Sequence, residues 1–324
     1  MPLRRVAFAA LLAAALPAVP AAAQQDAADA PFTFVALGDM PYRIPDDYAR
    51  FERLIDAINA AGPAFSIFVG DTKGGGVDCA DAVLQRVRDA FDTFAAPLVY
   101  TPGDNEWTDC HRAAAGGWDP LERLARVRAM HFAEPQSLGA APMPLTRQSD
   151  VDAEHPQMVE NARWTHGGVL FATIHVVGSN NGFERTLPSV EEYFARNAAN
   201  LDWIAAAFDR AEEENLDAIV FAFQAELMFE LPPYDHRNSG FHDTLRALAE
   251  GAAAYGRPVL LVHGDTHEFI VDRPLLRPDG MGRLVNVYRL EVFGDPHIQA
   301  VEVTVDPADP AMFAFRPLIV PENQ

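Results

Sequence analysis

The chain has 324 residues, of which 49% are hydrophobic and 22% charged, and its formal net charge is −21. That length and composition suit a folded protein with a large core and exclude disorder as the main state. Such acidity, with Lys73 the only lysine, argues against nucleic acid or an anionic lipid surface as a partner.

The first residues read as an export signal. Arg4 and Arg5 precede an apolar run from Val6 to Leu16, and Ala21-Ala22-Ala23 precedes Gln24. A charged start, a short apolar middle and a small-residue cleavage site mark residues 1–23 as a cleaved signal peptide. The run is too short to span a bilayer and no later apolar run is long enough, so the expectation is an exported chain, periplasmic or secreted, without a membrane anchor. An exported chain with two cysteines is expected to form one disulfide, Cys79–Cys110.

From Gln24 onward the chain alternates. Phe32 to Leu37 is a continuous apolar run, predicting a strand buried on both faces. Phe51, Leu54, Ile55 and Ile58 have helical spacing behind Asp46 and Asp47 as caps. Phe65 to Val69 predicts a second strand, Val83 to Phe94 a helix, Leu98 to Tyr100 a third strand, and Pro120 to Met130 a helix. Gly139 to His155 reads as irregular. Trp164 to Val177 predicts strand, turn and strand around Gly167-Gly168. Ser189 with Glu192 predicts a capping box opening a helix to about Glu214. Strands at Ala218 to Phe223 and Val259 to His263 flank a helix over Phe241 to Tyr255, and Glu268 to Leu318 is strand-rich. This order predicts one α/β domain over 24–324 with two sheets.

The chemistry collects at strand ends. Gly38-Asp39, Gly70-Asp71, Gly103-Asp104 and Gly264-Asp265 each follow an apolar strand. A fifth pair, Gly294-Asp295, reads as a plain hairpin turn. Composition alone predicts roughly two such pairs. Ligands in α/β sheets bind outside the carboxyl ends of strands. Four aspartates converging there need a cation between them, and His267 adds a nitrogen ligand.

Taken in order, Gly38-Asp39, Gly70-Asp71, Gly103-Asp104-Asn105-Glu106 and Gly264-Asp265-Thr266-His267 resemble the motif series of the calcineurin-like metallophosphoesterases. The resemblance implies a four-layer α-β-β-α sandwich of two mixed sheets. It also implies a two-metal site in which one aspartate bridges the ions and a metal-bound hydroxide attacks phosphorus in line. Position by position, it puts Asp39, Asp71 and His267 on the first ion, and Asp71, Asp104, Asp265 and Gln224 on the second. The chain departs from the family pattern in being poor in histidine. Asn105 stands where the family has a proton-donating histidine, and Asp265 replaces another. Tyr42 follows the first motif in a different register. An almost all-oxygen ligand set favours Mg²⁺, Mn²⁺ or Ca²⁺ over Zn²⁺, as one or two ions. The implied function is an exported metal-dependent phosphoesterase acting on a small phosphorylated substrate. The alternative is a degenerate member that binds a divalent cation or phosphorylated ligand without efficient turnover. The sequence leaves the oligomeric state open.

Three further residues have two readings each. Lys73, two past Asp71, is either a phosphate-binding cation or a surface loop lysine. His111 is either a replacement acid or a surface histidine. His263, four before His267, reads as a core or supporting residue rather than a ligand. His166 and His175 read as satisfied core histidines.

Overall fold

The computed structural model describes residues 30–324, apart from residues 184 and 232–234; the signal-peptide reading of residues 1–23 lies outside the described residues. Among the described residues twelve strands run in chain order: β1 (Phe32–Leu37), β2 (Ser66–Phe68), β3 (Leu98–Tyr100), β4 (Thr146–Arg147), β5 (Ala162–His166), β6 (Val169–Thr173), β7 (Ala218–Ala222), β8 (Val259–His263), β9 (Ile270–Asp272), β10 (Val287–Glu291), β11 (Ala300–Val305) and β12 (Phe313–Leu318). They form a five-stranded sheet ordered β12-β11-β1-β2-β3 and a seven-stranded sheet ordered β4-β5-β6-β7-β8-β10-β9. Both sheets are mixed: β1, β2 and β3 are parallel, as are β6, β7, β8 and β10, while the outer strands pair antiparallel.

The period-two alternation of β1 shows why there are four layers. Phe34 and Ala36 face one way, into a core shared with Phe171, Val220, Leu260 and Val262 of the other sheet. Val35 and Leu37 face the other way, onto Phe51, Leu54 and Ile58 of helix α1 (Asp46–Ala61) and Leu84, Val87 and Phe91 of helix α2 (Asp81–Phe91). A further helix, α3 (Pro120–His131), joins this layer through Val127. On the far side, Ala172, Phe221 and Leu261 meet Ile204 and Phe208 of α4 (Leu187–Glu213) and Leu248 of α5 (His242–Tyr255). The result is the expected α-β-β-α sandwich.

Several local expectations change. Asp46 and Asp47 are first-turn residues of α1, and Asp47 accepts the Arg43 backbone N–H at 2.8 Å. The cap of α4 is Thr186, whose hydroxyl accepts from Ser189 N, so the capping box at Ser189 moves one turn earlier. The irregular stretch holds β4 and a single helical turn over 148–151. His166 is exposed at the end of β5, stacked edge-on against Phe32, and is no core residue. His175 is buried and pairs with buried Glu160 at 2.7 Å. The larger change concerns Gly294-Asp295. Strands β10 and β11 lie in different sheets, so this segment is a crossover between layers and not a hairpin turn.

A buried histidine outside the strand ends makes the fold sensitive to acid. His131 packs on Tyr100 and Phe132, and its Nδ1 has no partner. Burial, helped by nearby Arg88, lowers it from 6.5 to about 3. The unfolded chain therefore takes up a proton below pH 6.5 that the folded chain refuses, and stability falls between there and about pH 3. We expect His131→Phe to be more stable than the parent at pH 4.5, relative to pH 7.5, by roughly 2–3 kcal/mol. Urea unfolding at the two pH values measures this; an unchanged difference would contradict the neutral buried imidazole.

Candidate metal centre

The parallel strands deliver their following residues to one edge of the sandwich. Asp39 follows β1, Asp71 follows β2, Asp104 follows β3, Gln224 follows β7, and Asp265 and His267 follow β8. The four motif glycines allow close approach: Gly38 faces Val69, Gly70 faces the Gly103 backbone, and Gly103 and Gly264 each have a carboxylate against them. A Cβ on Gly103 would sit 2.1 Å from Asp71 Oδ1, and one on Gly264 would sit 1.9 Å from Asp39 Oδ2. The pairs are therefore interlocked across the sheet edge, beyond any local turn preference. Asp39, Asp71, Asp265 and His267 all have positive φ, a backbone state that costs a non-glycine residue free energy and clusters at functional sites.

Asp71 lies at the centre of the hydrogen bonds. It accepts from the Tyr42 hydroxyl at 2.8 Å, from Asn105 N at 3.0 Å, from Asn105 Nδ2 at 2.8 Å and from Gln224 Nε2 at 3.3 Å. The Gly178 N–H binds Gln224 Oε1 at 2.6 Å and so turns the amide NH₂ toward Asp71 and Asp265. Ser179 Oγ donates to Asp104 at 2.7 Å. Asp265 N donates to Asp39, and Glu226 N to Asp265. The Tyr42 hydroxyl also lies 3.5 Å from Asp39 Oδ1 and 3.3 Å from His267 Nε2. It thus stands within 3.5 Å of all three expected ligands of the first ion.

Burial raises all four aspartates above the usual carboxylate range, and for Asp39, Asp71 and Asp104 the neighbouring carboxylates add to it. Burial also raises the Tyr42 phenol, again helped by Asp71. No three of Asp39, Asp71, Asp104, Asp265 and His267 bring ligand atoms within 4.8 Å of one another among the described residues. The hydroxyls and amide groups of Tyr42, Asn105, Gln224 and Ser179 stand between them and offset their charge. The donor set nevertheless fits a hard divalent cation: it is buried, anionic and almost entirely oxygen.

Lys73 is where the sequence is most misleading. Its side chain is fully buried and Nζ donates to Gly74 O at 3.3 Å, so it is not a surface loop lysine. Burial lowers its pKa, opposed by Glu106, Asp71, Asp109 and Asp104. Those carboxylates partly offset the cost of burying its charge. His111 is exposed and its Nδ1 lies 2.8 Å from Thr108 O, one turn away from the carboxylates rather than among them. The cation at the rim is Arg112, with its side chain 48% exposed, paired to Asp109 at 2.7 Å and 3.5 Å from Ser179 Oγ. No spacing in the sequence singles it out. The fifth Gly-Asp pair also reaches the centre. Asp295 N donates to Asp39 O, and Asp295 O accepts from His267 Nδ1 at 2.9 Å, which turns His267 Nε2 toward Asp39 and Tyr42.

Cys79 and Cys110 form a disulfide behind the β2 and β3 loops, with Cα atoms 5.8 Å apart. A cavity of about 540 Å³ is lined by Phe183, Tyr193, Phe194, Phe229 and Ser239, and none of the four aspartates lines it. Ser239 on its wall accepts from Asn180 Nδ2, the neighbour of the Ser179 that holds Asp104. No helix of the described residues is long and apolar enough to cross a membrane.

This arrangement has known relatives in fold. The structure of PhoD matches with a TM-score of 0.55 at 12% identity, over 86% of this chain and 64% of that one. Purple acid phosphatase PPD1 from yellow lupin (Lupinus luteus) seeds matches with 0.53 at 12% identity, over 89% and 52%. GAP50, the anchor in the inner membrane complex of Plasmodium, matches with 0.51 at 11% identity, over 90% and 89%. The chain thus spans about two thirds or less of the first two, and at these identities the likeness is one of fold. No curated protein sequence matches the chain significantly. Residues 32–269, from β1 to just past the turn holding His267, match the family model described as calcineurin-like phosphoesterase, and the chain belongs to that family.

Proposed function

We propose that the protein is an exported phosphoesterase that depends on one or two divalent cations and acts on a small phosphorylated molecule. The observation that carries this is the convergence of Asp39, Asp71, Asp104 and Asp265, with Tyr42, Gln224 and His267, at one sheet edge of a calcineurin-like phosphoesterase. A divalent cation bound there supplies Lewis-acid polarisation and lowers the pKa of water. Arg112 at the rim provides a planar cation for phosphoryl oxygens, and Ser179 and Gln224 hold Asp104, Asp71 and Asp265 in place. Export is supported by the charged, apolar and small-residue pattern of residues 1–23 and by the disulfide. The test is turnover of aryl phosphate mono- and diesters by chelator-stripped protein resupplied with single ions. Activity should return with Mg²⁺, Mn²⁺ or Ca²⁺ more than with Zn²⁺.

A second reading, cation or phosphate binding without efficient turnover, is favoured by Asn105. Its amide NH₂ donates to Asp71 and to Tyr42, and it carries no titratable proton for a leaving group. Leaving groups of high pKa should therefore react slowly and activated aryl esters much faster. We expect Asn105→His to flatten this dependence by supplying an acid, an effect of roughly 10²–10⁴-fold on poor leaving groups. A leaving-group series with the metal held fixed measures it, and coincident slopes would show that position 105 does not serve the leaving group. Phosphate binding with no turnover under any ion would establish the second reading.

A further inference from the structure

Behind the aspartates, on the helix-facing side of the seven-stranded sheet, lies a second cluster: Glu226, His263 and Glu291. His263 and Glu291 are cross-strand partners at the ends of parallel β8 and β10, and Glu226 follows β7. All three are buried, and each offers a ligand atom within 4.8 Å of the other two. His263 and Glu291 are at most 1% exposed.

The hydrogen bonds set the chemistry. His263 Nδ1 lies 2.9 Å from Gly264 O, and a carbonyl only accepts, so Nδ1 carries the proton and Nε2 presents a lone pair. That lone pair faces Glu226 Oε2 at 3.3 Å but has no hydrogen-bond partner, and neither has the buried Glu291 Oε2. Three acceptors thus converge on one enclosed point with no donor among them, an arrangement that demands a cation. Arg289 does not supply it. Its Nη1 reaches Glu226 Oε2 at 3.2 Å, but the guanidinium is held mainly by Asp272 at 2.7 and 2.8 Å and leaves Nε2 and Glu291 Oε2 untouched.

We propose that Glu226, His263 and Glu291 form a second, structural metal site, distinct from the strand-end aspartates. One imidazole and two carboxylates suit a borderline divalent transition ion such as Zn²⁺ or Co²⁺ rather than Mg²⁺. Bonds of about 2.1 Å require the three atoms to draw slightly closer on loading. The site braces the turn that carries Asp265 and His267. Glu291 Oε1 accepts from Thr266 N at 3.2 Å and from the Thr266 hydroxyl, and Glu226 N donates to Asp265 Oδ2 at 3.0 Å. Stacked Phe223 and tilted Phe229 fix the His263 ring.

The test separates the two sites by removing the first. In the full chain carrying Asp71→Asn and Asp104→Asn, Co²⁺ is titrated and followed by its visible absorption, with bound metal counted by elemental analysis after dialysis. One equivalent should remain, with a spectrum showing nitrogen ligation. Adding His263→Leu, or separately the size-conserving Glu291→Gln, should lower that equivalent at least tenfold while the far-ultraviolet circular dichroism stays native. Absence of bound metal in the folded Asp71→Asn/Asp104→Asn protein would overturn the proposal and leave a proton as the shared cation. Undiminished binding in both added variants would also overturn it, because the metal would then sit on other carboxylates. Since no step reads phosphoester turnover, the result is independent of the proposed activity.

Discussion

Asp71→Asn should abolish phosphoester turnover by about 10³-fold or more, equivalent to about 4 kcal/mol of transition-state stabilisation. It should also cost more bound metal than Asp39→Asn does. Asp71 is the one carboxylate touched by Tyr42, Asn105 and Gln224 together, and the resemblance makes it the ligand common to both ions. The variant should fold. Asparagine has nearly the same shape, and loss of a buried negative charge beside Asp104 offsets the mismatch of a new NH₂ facing donors. The melting temperature in chelator should therefore stay close to the parent's, while the rise on adding Mn²⁺ shrinks. Unchanged metal content and turnover in Asp71→Asn would remove Asp71 from the centre.

Loss of the disulfide should cause the largest fall in stability. Cys79 and Cys110 are 31 residues apart, and closing a loop of that length stabilises by roughly 3–4 kcal/mol in the chain-entropy model. Removing it as Cys79→Ser/Cys110→Ser should lower the melting temperature by roughly 5–10 °C for a chain of this size. Function should suffer as well. The two sulfurs lie 3.5 and 3.6 Å from Asn105 O, so the bond backs the loop that presents Asp104 and Asn105. Thiol titration of the unfolded, unreduced protein should find no free thiol. Equal melting of parent and double variant would show that the bond adds nothing to stability.

The sequence by itself determined the sheet and helix order, because continuous apolar runs and 3.6-residue periodicity are local signals. It determined four of the aspartates, because Gly-Asp recurs where strands end, and it determined the cysteine pair, because only two cysteines exist. The tertiary structure decided what those residues meet. Tyr42 enters the centre through its hydroxyl on Asp71, at a sequence separation of 29, and the crossover between the two sheets lays Asp295 N on Asp39 O near the other end of the chain. The sole lysine, Lys73, is turned inward because the surrounding carboxylates supply the charge that makes its burial tolerable. Glu226, His263 and Glu291 share no motif. They converge because β7, β8 and β10 are adjacent and parallel, and strand adjacency is set by long-range packing that no short stretch of sequence records.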